Sequence, residues 1–237
     1  GPAAAEHADR RPQGAAENRL KRGRGVASLC WGAGGGPPAY ATVRINPDGT
    51  VEVLTGTQDL GTGSRTVLAQ IAAEALGANI ADVRTVLGDT ERLPYTGNSW
   101  GSMTTASVGP AVRMAAEDAR TKLLDAASAL MGVPAKQLEV RNSAVTASNI
   151  KRQTPNTLSF AEIGAELGDV MIIGQGSRGP NPDDTAIFAF GAHFADVEVD
   201  TETGHVRVLR YVAAHDSGRI INPRLAESQL QGGILQG

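Results

Sequence analysis

Two segments of the sequence concentrate glycines and small polar side chains where a ligand could bind. Gly61-Thr62-Gly63-Ser64 follows a strand pattern and opens a helix, and residues 96–105 place five hydroxyls and one amide ahead of a second helix. Glycine lets a ligand approach the backbone, and free N–H groups at a helix start favour an anion such as phosphate. Hydroxyls and amides supply donors to a ligand rich in acceptors. Each segment is equally consistent with a structural turn that caps its own helix.

A third segment combines histidine, aspartate and serine in His215-Asp216-Ser217-Gly218-Arg219. The residue types suggest a catalytic triad. However, neighbouring side chains on an extended segment point to opposite sides, so His215 and Asp216 cannot easily form a proton relay. We interpret this segment as a structural turn.

Cysteine and histidine are too few and too scattered to hold a metal by themselves. Cys30 is the only cysteine, and the four histidines show no ligand spacing. A cysteine-held iron–sulfur cluster or a zinc ribbon is therefore excluded within this chain. Any metal must arrive inside an organic cofactor or be held by another chain.

Charge and hydropathy exclude two further classes of protein. The formal net charge is −3, which argues against a dedicated nucleic-acid binder. No apolar run approaches the roughly 20 residues that span a bilayer. Since no signal peptide is visible, we predict a cytoplasmic location, with a periplasmic one as the alternative.

The elements that must position these segments are readable from periodicity. Strands over 40–45 and 51–56 flank the turn Asn46-Pro47-Asp48-Gly49 and predict a hairpin. An apolar stripe predicts a helix of about 13 residues after Ser64, stopped by Gly77. A strand over 83–87, a long loop and an Ala-rich helix reaching Met131 follow.

A second hairpin over 190–199 and 205–214 precedes a helix with Asn222 as N-cap and Pro223 at its first position. Hairpins followed by packed helices indicate an α+β fold, a two-layer sandwich with two related lobes. The predicted organisation has four parts. They are a disordered tail (1–22), a ligand-binding lobe (23–131), an irregular connecting region (132–185) that includes a flexible stretch over 174–184, and the start of a second, truncated lobe (186–237).

Taken together, the motifs resemble the molybdopterin-binding large subunit of the xanthine dehydrogenase and aldehyde oxidase family. The resemblance covers residues 23–237 in family order and is nearest to bacterial aldehyde oxidoreductases or isoquinoline-type oxidoreductases. The matching runs are GTQDLGTGSRT (56–66), QIAAE (70–74), GDT (88–90), GSMTT (101–105), HDSGRIINP (215–223) and QLQGGILQG (229–237).

The resemblance implies that the chain binds molybdopterin, alone or as its cytosine dinucleotide, with molybdenum held by the dithiolene of the pterin. Many members carry glutamine where this chain has Thr62. The residues implied as cofactor contacts are Gly61, Thr62, Gly63, Ser102, Met103, Thr104, Thr105 and Gln229.

The resemblance also implies that this oxidoreductase chain works with partners. The family's general base is a glutamate beyond the last helix seen here, so we expect no catalytic residue in this chain and no activity from the chain alone. Iron–sulfur and FAD groups would belong to partner subunits, and the rest of the large subunit would complete the site. We expect exposed apolar surface near Ile234 and Leu235, or a homodimer that covers it. A non-catalytic cofactor-binding or structural fragment is the alternative.

Overall fold

The computed structural model describes residues 19–32, 35–36, 38–147, 156–181, 183–184 and 186–237. The chain divides into two compact units. The smaller unit comprises Gly1–Gly32 with Phe188–Gly218, and the larger comprises Ala33–Ile187 with Arg219–Gly237. No helix among the described residues is both long enough and apolar enough to cross a bilayer.

The smaller unit is a three-stranded antiparallel sheet. Strands β1 (Leu20–Trp31), β9 (Ala189–Asp200) and β10 (Val206–Asp216) lie in the order β1-β9-β10. The predicted hairpin is confirmed by the pairing of β9 with β10. Strand β1 starts at Leu20, within the predicted tail, because it pairs with distant β9 along its whole length. The predicted tail over residues 1–18 lies outside the described residues.

The larger unit is built on a four-stranded sheet. Strands β2 (Ala39–Ile45), β3 (Val51–Thr55), β4 (Val83–Leu87) and β8 (Ile172–Arg178) lie in the order β4-β3-β2-β8. The predicted β2–β3 hairpin is confirmed, with Val43 opposite Val53. Strand β4 is parallel to β3, and β8 is antiparallel to β2.

The helices of the larger unit are α1 (Ser64–Leu76), α2 (Thr104–Met131), α3 (Phe160–Leu167) and α4 (Pro223–Gln236). A second, three-stranded sheet holds β5 (Leu138–Arg141), β6 (Ala144–Ala147) and β7 (Thr157–Ser159) in that order. Short 3₁₀ helices at Ile80–Asp82 and Ala135–Gln137 precede β4 and β5.

One hydrophobic core joins the helices to one face of the four-stranded sheet. Alternate residues of β2 and β3 are buried, as the period of a strand requires for a sheet with one packed face. Those side chains share a single cluster with Leu68 of α1, Ala115 of α2 and Ile163 of α3. The two-layer α+β prediction is therefore confirmed.

The region predicted as an irregular connection contains regular structure. Strands β5 and β6 pair antiparallel. Helix α3 begins with a capping box in which the Ser159 hydroxyl accepts from the Glu162 amide, and Glu162 accepts from the Ser159 amide. The prediction of a flexible stretch from Gly174 was wrong at its start, since residues 172–178 form β8. Residue 182 of that stretch lies outside the described residues.

Glycines in β8 serve close packing. A Cβ at Gly174 would lie 2.1 Å from the Ala115 carbonyl oxygen, and one at Gly176 would lie 2.1 Å from that of Ala111. Helix α2 therefore rests directly on the strand backbone. A glycine-rich segment is typical of a loop. Glycine is required in β8 because helix α2 packs against the strand, and that helix is distant in the sequence.

Candidate functional site

The first ligand-binding candidate, the loop Gly61-Thr62-Gly63, leads from β3 into α1. Gly61 and Gly63 have φ of 94° and 82°, the left-handed region that favours glycine. Gly61 and Thr62 are exposed and Gly63 is half-buried. A Cβ at Gly61 would meet no heavy atom within 4 Å, so the backbone there is open to a ligand.

The backbone amides of this loop donate hydrogen bonds to a carboxylate of the same chain, that of Asp59. The side chain of Asp59 accepts from the backbone N–H groups of Gly61 at 2.9 Å, Gly63 at 3.2 Å and Arg65 at 2.9 Å. The hydrogen bond from the Arg65 amide is the main cause that lowers the pKa of Asp59. The prediction of free amides at the start of α1 is therefore wrong for these three groups. The structural alternative, a turn that caps its own helix, is realised by Asp59, which accepts the Arg65 amide in the first turn of α1, while the hydroxyls of Thr62 and Ser64 lie 3.1 Å from each other.

The second candidate is the loop before α2. Ser102 has φ of 63°, a rare conformation for a residue with a side chain and one that clusters at functional loops. No side chain caps α2 at Met103, and the first turn carries no acidic residue. The Thr104 hydroxyl lies 2.9 Å from that of Ser99. Ser102 and Thr105 are exposed, while Met103 and Thr104 are half-buried.

Gln58 joins the two loops, a role that the sequence did not assign to it. Its Oε1 accepts from the Ser99 amide at 2.9 Å, and its Nε2 donates to the Gly56 carbonyl at 3.0 Å. The Gly56 amide in turn donates to the Pro94 carbonyl at 2.8 Å. The only signal in the sequence was an amide side chain placed between a strand and a glycine loop.

Helix α4 packs against the first loop. A Cβ at Gly63 would lie 2.5 Å from Cδ1 of Leu225, so the leucine rests on the glycine backbone. The predicted N-cap is confirmed, since Asn222 Oδ1 accepts from the Leu225 amide at 3.1 Å and Asn222 Nδ2 donates to Gln70 at 3.1 Å. Gln229 is exposed and lies one turn beyond Leu225, on the same side of the helix.

In the third candidate, the Asp216 side chain shapes a local turn. Its carboxylate accepts from the Gly218 amide at 3.0 Å. In the larger unit, Arg219 donates to both carboxylate oxygens of Glu74, at 2.6 and 2.8 Å. Of the two residues predicted to form an exposed apolar surface near the last helix, Leu235 is 87% exposed and Ile234 is half-buried, so the predicted patch or covering homodimer stays a prediction.

Comparison with known proteins identifies the family. The family model described as "Molybdopterin cofactor-binding domain" matches residues 3–237. The chain belongs to this family. The relatives that match this chain are of the xanthine dehydrogenase and aldehyde oxidase type, in agreement with the resemblance found in the sequence.

Relatives and solved structures agree with this family. The chain is 33% identical over 221 residues to the probable hypoxanthine oxidase XdhD of Escherichia coli strain K12, covering 90% of the chain and 22% of that protein. It is 34% identical over 204 residues to the aldehyde oxidoreductase molybdenum-binding subunit PaoC of the same strain, covering 83% of the chain and 25% of that protein. The chain thus spans about a quarter of the length of these relatives.

Two crystal structures share the fold of this molybdopterin-binding chain. Quinoline 2-oxidoreductase from Pseudomonas putida 86 matches with a TM-score of 0.77 and 28% identity, covering 93% of this chain and 30% of that one. Reconstituted CO dehydrogenase from Oligotropha carboxidovorans matches with a TM-score of 0.79 and 26% identity, covering 93% and 29%.

The small hydrogen-bonding groups of the two loops fit a pterin. Thr57, just beyond β3, is 1% exposed, and its Oγ1 has no hydrogen-bond partner among the described residues, whereas the unpartnered Ser107 Oγ lies against the backbone of Gly35. Uncompensated buried polar atoms are unusual in folded proteins. With the open backbone at Gly61 and the hydroxyls of Ser99 and Thr104, the buried threonine hydroxyl gives a set of small neutral groups that suits a heterocycle rich in acceptors.

Proposed function

We propose that this chain supplies the pterin-holding loops of a molybdenum hydroxylase that oxidises an aldehyde or an N-heterocycle with water as the oxygen donor. The supporting observation is the bond from the Ser99 amide to Gln58, which joins the loop before α1 to the loop before α2. Leu225 on Gly63 adds α4 to the same assembly. Three segments distant in the sequence thus meet through direct contacts.

The two helix starts have different proposed roles. Asp59 already fills the amides before α1, and a second anion there would be repelled by its charge. The start of α2 carries no side-chain cap, and a helix N-terminus of this kind favours a phosphate. We therefore assign the phosphate end of the cofactor to Ser102–Thr105, and contacts with the pterin ring to Gly61–Gly63 and Gln229.

The cofactor, when bound, supplies the metal at which substrate is oxidised. The residues of this chain hold and orient it, and the carboxylates beside the loops have structural partners. Asp59 accepts three amides, and Glu74 pairs with Arg219. We accordingly propose that the general base, the rest of the substrate pocket, and the iron–sulfur and FAD groups come from other parts of a larger complex.

Pterin content tests this assignment. The chain would be purified from a molybdopterin-producing host together with the remainder of a related large subunit and candidate iron–sulfur and FAD subunits, and its oxidised pterin would be measured by fluorescence. We expect Gly61→Val to lose at least 90% of the pterin, because the new side chain fills the open backbone surface. Gly204→Val is the matched control, since Gly204 also has a positive φ and open space but lies in the β9–β10 turn. Equal pterin in wild type and Gly61→Val would reject the proposal and favour a structural role for the loop.

A further inference from the structure

Two histidines of the smaller unit face each other across β9 and β10. Nε2 of His193 lies 2.9 Å from Nε2 of His215, and the rings are nearly perpendicular, at 77° with centroids 4.8 Å apart. Both residues are half-buried. Two imidazole nitrogens at this distance must share a proton or bind a common cation, since neither can otherwise satisfy the other.

The neighbouring residues are small enough to permit this arrangement. Gly191 lies opposite His215 in the ladder, and a Cβ there would lie 2.9 Å from His215 Nδ1. The ring of His215 therefore rests on the glycine backbone, which brings its Nε2 toward His193. His193 itself lies between Ala27 of β1 and Ala213 of β10, so its two cross-strand neighbours are alanines.

Tyr211 contacts His193 at Nδ1, the ring nitrogen that does not face His215. Its hydroxyl lies 2.5 Å from Nδ1 of His193, and the two rings meet edge to face at 88°. A histidine that binds a metal almost always donates its second ring N–H to a fixed acceptor, which sets the tautomer. In the tautomer of His193 in which Nδ1–H donates to the Tyr211 hydroxyl, Nε2 carries the lone pair and faces His215.

Contrary to the expectation drawn from the scattered histidines of the sequence, we propose that His193 and His215, which the fold brings together, form a binding site for a divalent transition metal, Cu²⁺ or Ni²⁺. Imidazole suits these metals, and they prefer square or tetragonal geometry. Two metal–nitrogen bonds of about 2.0 Å at a right angle place the nitrogens about 2.8 Å apart, against about 3.3 Å for a tetrahedral angle. The observed 2.9 Å is closer to the right angle.

Water fills the other positions of this site. Among the described residues, no group of three or more His, Cys, Asp or Glu side chains is arranged to hold a metal, so the pair supplies two protein ligands. When the metal enters, the proton between the two Nε2 atoms moves to Nδ1 of His215, and both imidazoles stay neutral. The two histidines belong to the smaller compact unit and the pterin loops to the larger.

Calorimetric titration of the purified chain with CuCl₂ and NiCl₂ at pH 7.5 tests the proposal. We expect one ion per chain, with binding at least tenfold weaker in His193→Gln and in His215→Gln. Tyr211→Phe should weaken binding about tenfold, the usual effect of removing a partner of a metal-binding histidine. A merely structural tyrosine would leave the affinity unchanged.

Two other histidines provide controls, because His205 is exposed in the turn and His7 belongs to the basic N-terminal segment. Neither His205→Gln nor His7→Gln should change the affinity. Circular dichroism verifies that each variant is folded, and the nitrogen hyperfine pattern of bound Cu²⁺ should report two imidazoles. Wild-type affinity no higher than that of His193→Gln, or an equal loss in His205→Gln or His7→Gln, would overturn the proposal.

Discussion

Arg178 of β8 donates from Nε to the carbonyl oxygen of Ala106 in α2 at 3.0 Å. This carbonyl would normally accept the amide of residue 110, but that residue is Pro110, inside the helix, and proline has no N–H. The arginine thus replaces a missing helical hydrogen bond. It also ties the strand that carries the packing glycines to the helix that they contact.

Removing the arginine should expose this defect. We expect Arg178→Met to lower the free energy of unfolding by about 1–3 kcal/mol, the usual cost of an unsatisfied buried polar group. In a Pro110→Ala background the helix regains its own donor, so the same substitution should cost less. Urea unfolding of the four proteins gives the coupling. Equal costs in both backgrounds would show that Arg178 does not compensate for the proline.

The glycines of β8 should tolerate no side chain. Gly174→Ala and Gly176→Ala each force a Cβ against the backbone of α2, and we expect each to lower the free energy of unfolding by about 3 kcal/mol. Gly179→Ala is the control, since a Cβ there meets nothing within 4 Å. Thermal unfolding of the three variants measures the difference. Similar melting temperatures for all three would contradict the close packing.

The carboxylate before α1 should stabilise the fold in a pH-dependent way. Hydrogen bonds, chiefly from the Arg65 amide, lower the pKa of Asp59. Its contribution is therefore fully present above the unfolded-state pKa of about 3.9 and is lost as the pH falls through the lower, folded value. We expect Asp59→Asn to cost about 1 kcal/mol at pH 7, as for other helix caps, and less at pH 3.

Denaturant unfolding at the two pH values measures this difference. Asp125→Asn, on an exposed part of α2, serves as the control and should be nearly neutral at both. An Asp59→Asn cost that does not change with pH would mean that the charge of the carboxylate is not what holds the loop.

Local patterns in the sequence predicted much of this fold. The apolar stripe of Leu68, Ala72 and Leu76 predicted the helix α1. Gly77, which was predicted to stop it, ends the helix in the left-handed conformation with φ of 88°. Both hairpins follow from alternation and turn residues. These elements are determined by residues close together in the chain.

Long-range contacts account for what the sequence did not predict. Residues 20–22 of strand β1 were placed in a tail because the carboxylate that pairs with Arg22, that of Glu198, lies in distant β9. Strand β8 looked like a loop because its glycines face α2. In the candidate site, the glycine loops were recognisable, but the capture of their amides by Asp59 and the bridge by Gln58 depend on side-chain directions that composition does not reveal.

The molybdenum content of the purified chain tests the central claim most directly. The chain would be prepared from a molybdopterin-producing host, once alone and once with the remainder of a related large subunit and candidate iron–sulfur and FAD subunits, and the metal counted per chain by mass spectrometry. If the chain holds one side of the cofactor and needs a complex to complete the site, the ratio should approach one with partners and stay near zero without them. A ratio near zero in both preparations, or near one in the chain alone, would contradict this account.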